Sequence, residues 1–116
     1  MKPKRAISTN LLIANGVQSM PPSILHLNLH REFFAAIAAK TKRIEYRAQT
    51  PYWKKRLANR HYDVIHFRNG YTTKAPEMLV EFRGLRRYGK GRSAYYAIQL
   101  GRIVKLTRWH RTKRRP

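Results

Sequence analysis

The chain has 116 residues, of which 42% are hydrophobic and 11% aromatic, so it suits one domain with a core and is too apolar for a wholly disordered protein. Its 26 Lys and Arg residues against five acidic residues give a formal net charge of +21. Self-repulsion at this density disfavours a compact state unless counterions or a polyanion neutralise it, and nucleic acid is the default partner of so basic a domain.

The hydrophobic pattern predicts one folded unit over residues 23–107. A basic arm (1–22) ending in two prolines precedes it, and a basic tail (108–116) follows. The predicted elements, in chain order, are a strand at 24–29, a helix at 31–42, a strand at 43–48, a helix at 51–58 with Thr50 as its N-cap, strands at 62–69 and 78–85, a Gly-rich loop at 87–93, and a strand at 94–109 that is continuous or broken near Gly101.

These elements indicate an α+β fold that is mainly β. Short connections, such as the Asn69-Gly70 turn, make most of the five to six strands antiparallel. A small, partly closed barrel with two short helices near the start is the economical arrangement.

The composition also excludes several classes of protein. No cysteine is present, so disulfides and thiolate metal sites are excluded, and the cytoplasm is the default compartment. The longest apolar run, residues 33–39, is too short to span a bilayer. A membrane surface favours an amphipathic helix with an apolar face and a basic opposite face. The sequence predicts no such helix of useful length, so we expect no membrane partner.

Strand 43–48 separates charged from apolar side chains. Because successive side chains alternate, Ile44 and Tyr46 share the face that suits the core. The opposite face carries three charged residues: Arg43, Glu45 and Arg47. Two interpretations stay open, an intramolecular salt-bridge network or a carboxylate that orients Lys42 or Arg47 toward an anionic ligand. A lone carboxylate among cations is a poor general base but a good positioning group.

Residues 24–107 resemble the ASCH domain family (activating signal cointegrator homology) of PUA-like barrels. After a strand and a helix, that family has the element Gly-x-Lys-x-x-Glu-x-Arg, which reads here as "KTKRIEYR" (40–47). Lys42, Glu45 and Arg47 match, whereas Lys40 stands in place of the glycine. The segments "TPYWKKRL", "YDVIHFRNGY" and "APEMLVEFRG" look like the bacterial and phage branch of the family.

The resemblance implies a basic cleft between barrel and helices that binds single-stranded or structured RNA. Some relatives degrade single-stranded RNA, and others hydrolyse the acetyl group of acetylated cytidine with a Lys, a Thr and a distant Glu. Lys42 matches that Lys, but Glu45 occupies the place of the Thr, and no segment matches the one that brings the distant Glu. The amidohydrolase motif is therefore incomplete, and the candidate catalytic residues are Lys42, Glu45 and Tyr46.

Aromatic and basic residues are interleaved in "PYWKKRL" (51–57). Bases stack on aromatic faces and cations bind phosphates, so Tyr52, Lys54 and Lys55 are candidate contacts to single-stranded RNA. The alternatives are a solvated basic face for the lysines and a core position for Trp53 and Leu57, which lie four residues apart. We favour the core position for Trp53.

Two loops supply further candidates. Arg68 and Tyr71 flank the Asn69-Gly70 turn beside the expected cleft. In "YGKGRSAYY" (88–96) the two glycines let the backbone approach a phosphate, although a flexible hairpin tip is the slightly favoured alternative. The donors in this loop are Lys90, Arg92 and Ser93.

The five histidines are scattered and have no metal-ligand spacing. His26 is a candidate to face the cleft, and His66 alternates with apolar neighbours. Because acidic residues are few, a protein-held metal site is disfavoured. We therefore expect no cofactor, and any Mg²⁺ would be carried in by the RNA.

Three classes of function remain. The first, which we favour, is an RNA-binding protein without catalysis, and the same chemistry suits a basic subunit of a ribonucleoprotein particle. The second is an RNA-processing enzyme, above all a single-strand ribonuclease, although the scarcity of carboxylates speaks against a metal-dependent one. Binding to a membrane surface or to an acidic protein ranks last.

Overall fold

The computed structural model describes residues 21–109, which form five strands and two α-helices. The elements are β1 (Ile24–Asn28), α1 (Arg31–Ala38), β2 (Ile44–Ala48), α2 (Pro51–Leu57), β3 (Val64–Arg68), β4 (Glu77–Tyr88) and β5 (Tyr95–Thr107), with a 3₁₀ turn (Gly91–Ser93) between β4 and β5. Strands dominate, as predicted. The predicted arm lies outside the described residues up to residue 20, and the predicted tail lies outside them from residue 110.

The strands form one curled sheet in the order β1-β3-β4-β5-β2. β1 and β3 are parallel, and the other neighbours are antiparallel, which confirms the prediction of a mostly antiparallel sheet. The sheet is half of a barrel: its curl leaves β1 and β2 as the two edges, and they do not pair with each other in the described part of the chain.

The long hairpin of β4 and β5 produces much of this curl. Its register shifts beside Val80 and Phe82 and again before Gly84, whose φ is +143°. Such irregularities bend a strand and increase its twist, and glycine adopts this φ without steric cost. β5 passes through Gly101 without a break, so the last predicted strand is a single one.

The core lies between the sheet and the two helices. Alternate residues of β1, Leu25 and Leu27, point into it. The large side chains that are fully buried come from both helices and from the three central strands: Phe34, Leu57, Ile65, Phe67, Met78, Val80, Tyr96 and Ile98. Trp109 packs against this cluster, with its ring centroid 4.9 Å from that of Phe34, so the folded unit extends to residue 109.

Helix α1 is shorter than the predicted 31–42. Lys40 has φ +67°, the left-handed conformation that commonly ends a helix and that favours glycine. The Lys40 N–H donates to the Ile37 carbonyl at 2.9 Å, and the Thr41 N–H donates to the Ala36 carbonyl at 3.0 Å. These bonds close the helix two turns after it begins, and residues 39–43 connect it to β2.

Helix α2 begins where it was predicted. Thr50 Oγ1 accepts a hydrogen bond from the Trp53 N–H at 3.2 Å, and Pro51 takes the first helical position, where its missing N–H costs nothing. Leu57 is buried and Trp53 is packed against the core, as predicted. Within residues 21–109, neither helix has the length and apolar character needed to cross a membrane.

Candidate functional site

A groove follows the gap between the edge strands β1 and β2. It consists of two adjoining cavities of about 580 and about 440 Å³, whose linings share Asn28, Arg47 and Tyr71. Arg47 Nη2 reaches across the gap and donates to the Asn28 carbonyl at 3.3 Å. Arg47 therefore lies at the junction of the two cavities and bridges the two sheet edges.

Glu45 is the centre of the charge network in this groove. It is 6% exposed, and it is the one charged residue that is buried among the residues that the structure describes. Its Oε2 lies 3.0 Å from Arg47 Nε and 2.9 Å from Arg47 Nη2, and its Oε1 lies 3.4 Å from Lys42 Nζ. Both predicted interpretations are compatible with this arrangement, because one carboxylate forms the salt-bridge network and holds both cations in place.

The side chains of β2 point in the directions opposite to those predicted. Glu45 is buried, whereas Tyr46 is 53% exposed. Glu45 can point inward because two cations accompany it and satisfy its oxygens. Tyr46 can point outward because its ring rests on that of Tyr95, with centroids 5.7 Å apart. The alternation of hydrophobic residues in the sequence carries no information about these side-chain contacts.

Lys42 and Arg47, which pair with Glu45, also contact aromatic rings. Lys42 Nζ lies 5.5 Å from the ring centroid of Phe33 and 5.4 Å from that of Tyr46. The Arg47 guanidinium lies 4.8 Å from the ring centroid of Trp53. Cations at these distances are attracted to the ring faces, so carboxylate and rings together restrict the positions of Lys42 and Arg47. Arg47 lines the groove, whereas Lys42 lines a separate depression beside Gly101.

The second cavity brings together residues from β1, β3, α2 and the loop after β3. Tyr52, Arg68 and Tyr71, three of the residues expected to contact RNA, line it. Tyr71 is 88% exposed, and the Arg56 guanidinium covers the Tyr52 ring at 3.8 Å. An Arg68 Nη2 N–H donates to the Thr72 carbonyl, while Arg68 Nε is buried without a hydrogen-bond partner among the described residues.

Several predicted contacts lie outside the groove. Lys54 and Lys55 are exposed on α2 and do not line either cavity. Arg43 lines a separate depression beside Gly101. The remaining three, Lys90, Arg92 and Ser93, belong to the turn between β4 and β5.

The turn between β4 and β5 owes its glycines to its own geometry. Gly89 and Gly91 have φ of +79° and +60°, and a Cβ on Gly89 would lie 3.0 Å from the Ser93 carbonyl oxygen. Ser93 Oγ donates to the Lys90 carbonyl at 3.1 Å, so this predicted donor is used within the turn. Lys90 and Arg92 remain exposed.

Sequence reasoning missed two features of the groove. Arg31, the first residue of α1, lines the first cavity, and nothing in its local pattern separates it from the other basic residues. The second feature is the side-chain contact between His26 and His66. These residues are 40 positions apart but lie directly opposite in the parallel register of β1 and β3.

The two histidines form a polar chain with Glu77. Their Nδ1 atoms are 3.0 Å apart, and His66 Nε2 lies 2.9 Å from Glu77 Oε1. If His66 donates from Nε2 to the carboxylate, its Nδ1 accepts from His26 in the neutral state, and His26 Nε2 is left with a free lone pair. The hydrogen bond from His66 lowers the pKa of Glu77, and the charges of Arg108 and Arg68 lower it further, against an opposing effect of burial.

The described residues contain no group of three metal-ligating side chains close enough to hold an ion. The groove is thus a site of fixed cations, aromatic rings and one histidine pair. No protein-family model and no curated protein matches the sequence of this chain.

Proposed function

We propose that the protein binds RNA in the groove between β1 and β2. The observation that carries the proposal is the fixed position of Arg47. Glu45 holds its guanidinium from one side, Trp53 covers a face at 4.8 Å, and the Asn28 carbonyl accepts from it across the gap. An arginine restrained in this way at the junction of two cavities is prepared to bind a phosphate without loss of side-chain entropy.

The surroundings of Arg47 favour RNA over a small anion. Three exposed tyrosines border the groove, namely Tyr46, Tyr52 and Tyr71. Bases stack on such rings, and cations beside them bind the backbone. The carboxylate in the first cavity is already paired with cations, so it repels a phosphate less than a free one would.

The resemblance to ASCH domains supports the same proposal. The curled, mainly β sheet with two helices is compatible with a small barrel of that kind, and we propose a PUA-like domain with its cleft at the β1–β2 gap. A basic subunit of a ribonucleoprotein particle would use the same groove, and rRNA would neutralise a net charge as large as +21.

RNA affinity measured at several salt concentrations tests the proposal. We expect affinity to fall steeply between low and physiological salt, because phosphate contacts release counterions. Arg47→Ala removes the restrained arginine at the junction of the two cavities and should weaken binding by about tenfold, which corresponds to about 1.4 kcal/mol. The controls Lys54→Ala and Lys55→Ala each remove one positive charge from the exposed side of α2, outside the groove, and should cost about twofold or less. Equal losses in all three variants, or no salt dependence, would show that no groove site exists.

A single-strand ribonuclease is the second candidate, and the histidine pair is the observation that favours it. His26 Nε2 would take the 2′-OH proton, the 2′-oxygen would form a bond to phosphorus as the bond to the 5′-oxygen breaks, and the proton would pass from His26 to that leaving oxygen. Arg47 and Arg68 line the same cavity and would hold the phosphate.

Labelled single-stranded RNA incubated with chelator decides between binding and cleavage. Cleavage that produces 2′,3′-cyclic phosphate ends, is lost in His26→Ala and persists without metal would establish the enzyme. Cleavage of equal rate in wild type and His26→Ala would point to a contaminant, and intact RNA would leave the protein as a binder.

A further inference from the structure

Three exposed tyrosines from three neighbouring strands form a continuous surface on the outer side of the sheet. They are Tyr46 on β2, Tyr95 on β5 and Tyr88 at the end of β4, and we call them the tyrosine ladder. Their ring centroids are 5.7 Å apart from Tyr46 to Tyr95 and 5.4 Å apart from Tyr95 to Tyr88. Their residues are 53%, 37% and 42% exposed. Large apolar rings that stay open to solvent as a group mark a binding surface more often than rings scattered singly.

The strand register explains why the rings meet. Tyr95 lies opposite Ala48 on one side and opposite Tyr88 on the other. Tyr46 is two residues before Ala48 and therefore shares its face. Ala97, between Tyr46 and Arg86 in the next row, is small and 1% exposed. The rings thus surround an alanine and form a shallow platform.

The ladder joins the groove at one end and basic residues at the other. Tyr46 lines the first cavity, and its ring lies 5.4 Å from Lys42 Nζ. Beyond Tyr88 the chain enters the turn that exposes Lys90 and Arg92. From residue 82 to residue 109 the sequence contains no Asp or Glu. The nearest carboxylate on β2, that of Glu45, points to the opposite face of the strand.

We propose that the tyrosine ladder is a stacking platform for the unpaired bases of single-stranded RNA. The strand would leave the groove over Tyr46, cross Tyr95 and Tyr88, and place its phosphates against Arg86, Lys90 and Arg92. This inference rests on the proposed RNA-binding function and extends it by defining the class of RNA. Only unpaired bases present their faces to a ring, because a duplex buries them between neighbouring pairs.

An acidic protein or a lipid surface explains the ladder less well. A lipid surface favours an amphipathic element that buries an apolar face, whereas the ladder is a row of hydroxyl-bearing rings on a sheet, with the cations Arg86, Lys90 and Arg92 beside it. An acidic peptide would pair with the cations but gains little from planar rings. Single-stranded RNA uses both features, since each nucleotide has a planar face and a negative charge.

The test compares a double variant that removes two rings, Tyr88→Ala with Tyr95→Ala, with the matched double variant Tyr88→Phe with Tyr95→Phe. Fluorescence anisotropy would measure the binding of a single-stranded RNA of about 12 nucleotides and of a duplex of the same length. We expect wild type to prefer the single strand. The alanine variant should lose about tenfold in affinity for the single strand and keep its affinity for the duplex, and the phenylalanine variant should bind like wild type.

The salt dependence provides a second readout. Since no charge is removed, the slope of log affinity against log salt should stay the same in the alanine variant. Unchanged binding of the single strand by the alanine variant, or an equal loss for strand and duplex, would overturn the ladder proposal. If the double alanine variant does not fold, the single Tyr88→Ala variant at the end of the ladder gives the same comparison. Failure of wild type to bind either RNA would instead overturn the proposed function.

Discussion

The Glu45 carboxylate holds the Arg47 side chain at two atoms, with Oε2 at 3.0 Å from Nε and 2.9 Å from Nη2. Both residues lie on β2, two positions apart, on the side that faces the groove. The side chain of Glu45 is 8% exposed and that of Arg47 is 17% exposed. An acidic residue thus lies at the centre of the proposed polyanion site. Its role there is to position the neighbouring cations, since a carboxylate does not attract a polyanion.

Replacement of Glu45 by Gln distinguishes the positioning of Arg47 and Lys42 from the effect of net charge on RNA binding. The substitution makes the protein more positive by one unit, so a diffuse electrostatic attraction would strengthen RNA binding. If Glu45 positions Arg47 and Lys42, binding should instead weaken by about tenfold, the order of one lost charge-assisted hydrogen bond. Anisotropy with a single-stranded RNA at fixed salt measures the difference, and thermal unfolding verifies that the variant is folded.

Glu81→Gln is the matched control. Glu81 also accepts from an arginine side chain, since Arg83 Nη2 lies 3.0 Å from its Oε1, but it does not line the groove. The same change in net charge at this site should leave RNA affinity unchanged or raise it slightly. Tighter binding of Glu45→Gln than of wild type would refute a positioning role.

Local signals were sufficient to predict most elements of the fold. Thr50 before Pro51 located the start of α2 within one residue, because an N-cap depends only on its own turn. The facing of β2 was predicted in reverse, because the burial of Glu45 depends on Lys42 and Arg47 being close enough to neutralise it. The contact between His26 and His66 depends on the pairing of β1 with β3 across 40 positions, which no local pattern encodes.

Removal of the Thr50 side chain tests the capping interaction that begins α2. Thr50→Ala leaves the Trp53 N–H without its acceptor and should lower the free energy of unfolding by about 1 kcal/mol. Thr50→Ser retains the hydroxyl and should cost less than half of that. Urea unfolding of the three proteins measures the series; a serine variant as unstable as the alanine variant would show that the methyl group, and not the cap, matters.

A gain in stability is expected at Lys40, the residue after α1 that has φ +67°. A side chain in this conformation is strained, and glycine is not. Lys40→Gly should therefore raise the free energy of unfolding by up to about 1 kcal/mol, whereas the control Lys40→Ala keeps a Cβ and should give no comparable gain. A Lys40→Gly variant no more stable than Lys40→Ala would mean that the turn is not strained.

The last prediction concerns acid stability and Glu77. The hydrogen bond from His66 lowers the pKa of Glu77 from its ordinary value of 4.5, and Arg108 and Arg68 contribute to the shift. A carboxyl whose pKa is lower in the folded state contributes stability that is fully present above the unfolded value. That contribution is lost as the pH falls through the folded value. Wild-type stability should therefore decline below about pH 5.

Glu77→Gln should be less stable than wild type at pH 6, and its stability should change less between pH 6 and pH 3. The control Glu32→Gln removes an exposed carboxylate from the first turn of α1 and should retain the acid sensitivity of wild type. Chemical unfolding at a series of pH values measures all three proteins. Parallel curves for wild type and Glu77→Gln would show that the ionised carboxylate of Glu77 does not stabilise the pairing of β3 with β4.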